Sequence, residues 1–151
     1  MPSGEHRMKT ITPVNVTVSS VIDNIEDGMP VGDQERTLIT APGSLTNDDG
    51  IITIRYAEDG EEGQHTDCTL IYRDGAIALS RRGSAMVDLM FEVGETCSAI
   101  YSVPPYKFDM TVTAKKIRSN LTDHGGEIQL IYDMNIGGQD KRVRMYIAAV
   151  V

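Results

Sequence analysis

The stretch Glu127-Ile128-Gln129-Leu130-Ile131-Tyr132-Asp133-Met134-Asn135-Ile136 decides the fold. Ile128, Leu130, Tyr132, Met134 and Ile136 fall at every second position. Successive side chains of a strand point to opposite faces, so this period puts one apolar row on one side of a sheet. Gly137-Gly138 follows as a turn, and Val143 to Ala149 returns as the next strand. Before it, Ser119 to Gly126 reads as a loop.

Outward from this hairpin the same rhythm recurs in about ten stretches between Val14 and Ala149. Val14, Val16 and Val18 alternate with Asn15, Thr17 and Ser19. Ile25 to Asp33, with two Gly and a Pro, reads as a loop. Arg36 to Ala41 is a strand that Pro42-Gly43 is expected to cut, with a short piece at Ser44 to Thr46. Asp48-Asp49-Gly50 turns into Ile51 to Glu58, and an acidic loop leads to His65 to Arg73. Asp74-Gly75 is a hairpin signal, because both residues tolerate positive φ. Ala76 to Arg82, Ala85 to Phe91, Thr96 to Ser102 and Phe108 to Ile117 complete the set. Ser84 to Phe91 is too short between Gly83 and Gly94 for a good helix and is read as strand. Pro104-Pro105 breaks a strand, since proline has no N–H for a ladder. The expectation is one all-β domain over residues 11–151, behind a flexible N-terminus at 1–10. Such a meander usually closes into a barrel or sandwich.

The 151 residues are enough to bury a sizeable core, and 40% hydrophobic with 24% charged residues is ordinary for a globular chain. Lys and Arg number 14 against 22 Asp and Glu, a formal charge of −8 that disfavours a nucleic-acid surface. The absence of Trp leaves few stacking platforms for single strands. The first residues have no apolar core of a signal peptide, and no run approaches the roughly 20 apolar residues of a spanning helix. A cytoplasmic location, with no membrane partner, is therefore expected. Cys68 and Cys97 lack metal or redox spacing and read as free thiols in a reducing compartment. Asn15-Val16-Thr17 and Asn120-Leu121-Thr122 are then chance matches to the glycosylation pattern.

His6, His65 and His124 have no Cys or acidic partners at metal spacing, and no Gly-x-Ser-x-Gly elbow or phosphate loop occurs. Asp59, Glu61, Glu62 and Asp67 lack the order of a calcium loop and read as a solvated acidic loop. No cofactor or metal is expected.

Polar residues on apolar faces are more informative. Arg81 shares a face with Ile77 and Leu79; Glu58 shares one with Ile52, Ile54 and Tyr56. Cys68, beside Leu70 and Tyr72, is a milder case. A buried charge is costly unless paired, so Glu58 and Arg81 are candidates to meet inside. The bland alternative places both at strand ends, where water reaches them. Tyr56, Tyr72, Tyr101 and Tyr132 also fall on apolar faces, and buried hydroxyls need partners.

Tyr56-Ala57-Glu58, Arg81-Arg82-Gly83, Leu89-Met90-Phe91 with Gly94, Tyr101 with Pro104, Val112-Thr113-Ala114-Lys115-Lys116-Ile117 and Gly126 to Met134 form an ordered set. In order and spacing, over about residues 50–148, this set resembles the YwiB-like family of small bacterial proteins of unknown function. One departure is Val103-Pro104-Pro105-Tyr106, where the family usually has a Gly-containing turn. The resemblance implies an antiparallel, up-and-down, calycin- or lipocalin-like barrel of about eight to ten strands. It brings no activity and no catalytic residue.

Three readings of function follow. The first is a non-catalytic barrel binding a small hydrophobic or amphipathic ligand inside, at Tyr56, Glu58, Arg81, Tyr101 and Tyr132. It expects a cavity of a few hundred cubic ångströms, and a barrel filled by its own side chains is the alternative. The second is a protein-interaction or assembly module, for example a homodimer. Its basis is the apolar end Ile147-Ala148-Ala149-Val150-Val151, read as an exposed edge. The third is an enzyme with Glu58 as acid or base beside Arg81.

Overall fold

The structure, a computed structural model, describes residues 9–151. Ten strands follow in chain order: β1 (Lys9–Glu26), β2 (Met29–Asp48), β3 (Ile51–Asp59), β4 (His65–Arg73), β5 (Ala76–Gly83), β6 (Val87–Phe91), β7 (Thr96–Val103), β8 (Tyr106–Ser119), β9 (Gly125–Ile136) and β10 (Gln139–Val150). All pair antiparallel in one sheet ordered β6-β5-β4-β3-β2-β1-β10-β9-β8-β7. The chain is thus an up-and-down meander that rolls until its first and last long strands meet.

The roll is nearly closed. Between β6 and β7 a single bridge holds, with the Met86 N–H donating to Ser102 O at 2.8 Å and the Ser102 N–H to Met86 O at 2.9 Å. Below it, the Gly94 N–H donates to Ala114 O at 3.0 Å. A closed roll leaves few free strand edges to pair with other chains.

Four expectations need correction. Ile25 to Asp33 is not a loop: β1 and β2 run through it around a tight turn at Asp27-Gly28, both with positive φ. Pro42-Gly43 does not end a strand, because β2 is one strand of 20 residues. A Cβ at Gly43 would lie 2.3 Å from Arg55 O, so the glycine lets β2 bend close over β3. The last strand begins at Gln139, four residues before Val143, and it is no edge, since β10 lies between β1 and β9. Ile147, Ala148 and Ala149 are buried, and only Val150 and Val151 of that run are exposed. The N-terminal segment 1–10 lies outside the described residues except for Lys9 and Thr10, which open β1 opposite Asp48 and Asn47.

The two ends of the barrel differ. Toward the Asp49-Gly50 and Asp74-Gly75 turns, Val16, Leu45, Ile54, Leu70, Ile77, Phe91 and Ile128 are fully buried and fill the interior. Burying each such side chain contributes roughly 1.5–3 kcal/mol, which makes this packed end the anchor of the fold. Tyr72 belongs here, between Ile52 and Ile77 in the ladder. Phe91 lies against Tyr132 with ring centroids 4.7 Å apart and planes tilted by 49°. That pair divides the packed end from what lies beyond it.

Candidate functional site

Beyond Tyr132 the barrel opens into a cup of about 430 Å³. This lies within the roughly 300–1,000 Å³ usual for small-molecule pockets. Apolar walls come from Val18, Ile39, Leu79, Val87, Leu89 and Ile147, with Met110, Met134 and Met145 on the β8–β10 side. Methionines are unbranched and polarizable, so this wall adapts to differently shaped contents.

All five residues singled out from the sequence line the cup: Tyr56, Glu58, Arg81, Tyr101 and Tyr132. The register explains how three strands gather them. Tyr56 of β3 pairs with Cys68 of β4, and Cys68 pairs with Arg81 of β5, so the three side chains form one row across the inner face. Glu58 stands two residues further along β3, on the same face, and reaches across to Arg81.

The Arg81 Nη2 donates to Glu58 Oε2 at 2.5 Å, and Nη1 to Oε1 at 3.4 Å. The guanidinium is 26% exposed and the carboxylate 15%. The two alternatives weighed for these residues therefore merge: they pair, and they do so near the strand ends. Burial works against the charge of Arg81, but the charge and hydrogen bonds of Glu58, with smaller contributions from Cys68 and Tyr101, together hold the guanidinium above its usual pKa. The buried Arg81 Nε has no hydrogen-bond partner among the described residues.

Tyr56 and Tyr132 remain protonated. Burial first, then Cys68 and the charge of Glu58, push Tyr56 far up, and burial pushes Tyr132 up to about 12. Burial likewise raises the Cys68 thiol, so it is an inert packing group rather than a nucleophile. Tyr132 is 6% exposed and lines the cup, and its hydroxyl makes no hydrogen bond among the described residues.

Several lining residues escaped the sequence reading. Ser20, Glu35, Thr37 and Lys141 line the cup, and Lys141 Nζ donates to Asn24 Oδ1 at 2.9 Å. The signal was present: stepping back by twos from Ile147, Met145 and Val143 reaches Lys141, and from Ile39 it reaches Thr37 and Glu35. Lys141 and Glu35 fell just outside the strands as read, whereas Thr37 lay within Arg36 to Ala41.

The acidic β3–β4 loop places His65 between two carboxylates, Nδ1 at 2.6 Å from Asp59 Oδ1 and Nε2 at 3.0 Å from Asp67 Oδ1. Among the described residues no group of three His, Cys, Asp or Glu is placed to hold a metal ion.

Residues 18–146 match the family described as a domain of unknown function, DUF1934. The chain is similar to the uncharacterized β-barrel protein YwiB of Bacillus subtilis (strain 168), 24% identical over 136 residues, covering 90% of this chain and 91% of that protein. It also superposes on the crystal structure of the ywiB protein from Bacillus subtilis with a TM-score of 0.78, at 22% identity, over 99% of this chain and 100% of that one. That likeness carries the barrel fold.

Proposed function

The chain belongs to the DUF1934 family of unknown function, as the ordered motifs from Tyr56 to Met134 implied, and we propose that its barrel is a non-catalytic binder of a small amphipathic molecule. The observation that carries this reading is the 430 Å³ cup, lined by the buried Tyr132 ring, whose hydroxyl has no hydrogen-bond partner among the described residues. A barrel evolved only for stability gains by filling such a space, because an unfilled apolar void forfeits packing. Polar groups on an apolar wall suit a ligand with a polar head and an apolar tail.

Glu58 supports the non-catalytic part. Both of its oxygens accept from Arg81, so the carboxylate has a structural partner and each oxygen has one lone-pair position fewer for a substrate proton. A cytoplasmic location without nucleic-acid partners belongs to the same proposal, supported by two free cysteines and the formal charge of −8.

The test is native mass spectrometry of protein purified without denaturation. The expected result is a retained small molecule in a fraction of the chains, lost on unfolding and refolding. A bare chain that also takes up no apolar probe rejects the reading.

One observation favours an assembly role beside it. β3 pairs only with residues 43–48 of β2, so the outer edge of β2 before Gly43 has no ladder partner, and Leu38 there is 72% exposed. Free edges of this kind pair with other strands. Sedimentation velocity at rising concentration should then show dimer, and a strictly monomeric profile removes this reading.

A further inference from the structure

We propose that the cup selects an uncharged, hydrogen-bonding head group (a hydroxyl, carbonyl or amide) on an apolar tail. The inference rests on the ligand-binding reading above and narrows it.

The charges lining the cup are already balanced. Its ionised side chains are Glu35, Glu58, Arg81 and Lys141, two of each sign. Arg81 and Glu58 hold each other through two hydrogen bonds. A carboxylate head at Arg81 competes with Glu58 for the guanidinium and brings two like charges together, and an ammonium at Glu58 does the same beside Arg81. Either head leaves the mostly buried pair with one charge in excess, which is costly away from water. A neutral head leaves the pair intact.

The hydrogen-bonding capacity left over is also of the neutral kind. The Tyr132 hydroxyl is free to donate and to accept. Tyr101, close enough to Arg81 to influence it electrostatically, likewise makes no hydrogen bond among the described residues. Arg81 Nε is itself buried and closed off from the cup. Tyr56 is engaged with Cys68. Two phenols beside a paired ion are matched by an oxygen that both accepts and donates. A ligand oxygen seated on them is held by more than its tail.

The cup has space for about 14 waters at ~30 Å³ each, which admits a medium-length chain but not a large lipid. Met110, Met134 and Met145 would follow the tail, so the head rather than the tail sets the choice.

The experiment compares 1-decanol, decanoate and decyltrimethylammonium by calorimetric titration of the full chain. Decanol should bind about tenfold or more tighter than either charged probe. Tyr132→Phe should weaken decanol about fivefold or more. Glu58→Gln should shift the preference toward decanoate, because it frees Arg81. Tighter decanoate binding by the native chain overturns the inference while leaving the ligand-binding reading standing. Lys141→Met then tells whether Lys141 is the anion's partner. If no probe binds, the ligand-binding reading falls and this inference falls with it. The native-chain comparison decides even where Glu58→Gln does not fold.

Discussion

Replacing one member of the Arg81–Glu58 pair should destabilise the barrel far more than replacing both. Breaking a fully buried ion pair by removing one partner costs about 3–5 kcal/mol, because the remaining charge is stranded. Here the partners are 26% and 15% exposed. Taking about a fifth of that penalty as relieved by solvent leaves roughly 2–4 kcal/mol for Arg81→Met or Glu58→Leu alone. With a urea slope of about 2 kcal/mol/M, the midpoint should fall by ~1–2 M in either single variant. The double variant fills the same wall with apolar atoms and strands nothing. It should lie within about 1 kcal/mol of the native chain, giving a coupling of at least ~3 kcal/mol. The chain has no Trp, so far-UV circular dichroism is the suitable signal. Single variants that each cost under about 0.5 kcal/mol would refute the reasoning: the pair would then be a solvated rim bridge, and the cup wall would not be a low-dielectric environment.

Two further outcomes follow from the geometry. Gly43→Ala places a Cβ 2.3 Å from Arg55 O, and neither backbone can move without disturbing the β2–β3 ladder. Crowding of this kind costs about 1–3 kcal/mol, or about 2–12 °C of Tm at this chain length, and an unchanged melting curve would show that the bend is not needed. The hydrogen bonds to Asp59 and then Asp67 raise the His65 pKa above its ordinary 6.5. The folded value is the raised one, so this contribution to stability is complete below pH 6.5 and is lost as pH rises through the folded pKa. An NMR titration should show a midpoint above 6.5 that falls in Asp59→Asn, and a native midpoint at or below 6.5 would contradict the contacts.

Alternation along each strand was enough to place Glu58, Arg81, Tyr56 and Tyr132 on inward faces, because side-chain direction in a strand depends only on parity. That Tyr56, Cys68 and Arg81 stand in one row depends on the offsets between β3, β4 and β5. Those offsets come from turn geometry and from the packing of the two faces together. Pro42-Gly43 misled for a related reason. Both residues are breakers when judged locally, but Asn15 and Val14 of β1 pair with them from across the ladder and carry β2 through. Glu35 and Lys141 were missed because their strands outrun their apolar pattern. At the mouth the inward face borders solvent, and hydrophobicity no longer marks it.

By itself the sequence determined that the chain is a meander of antiparallel strands, which residues face inward, and which of them do not belong in an apolar interior. These are local properties, set by a period of two and by turn chemistry. The tertiary structure alone decided that one half of the barrel is packed and the other is a cup. It also decided that Arg81 and Glu58 neutralise each other and that Tyr132 keeps a free hydroxyl. Whether an interior fills depends on how strand offsets and side-chain volumes combine across ten strands. No single strand carries that information.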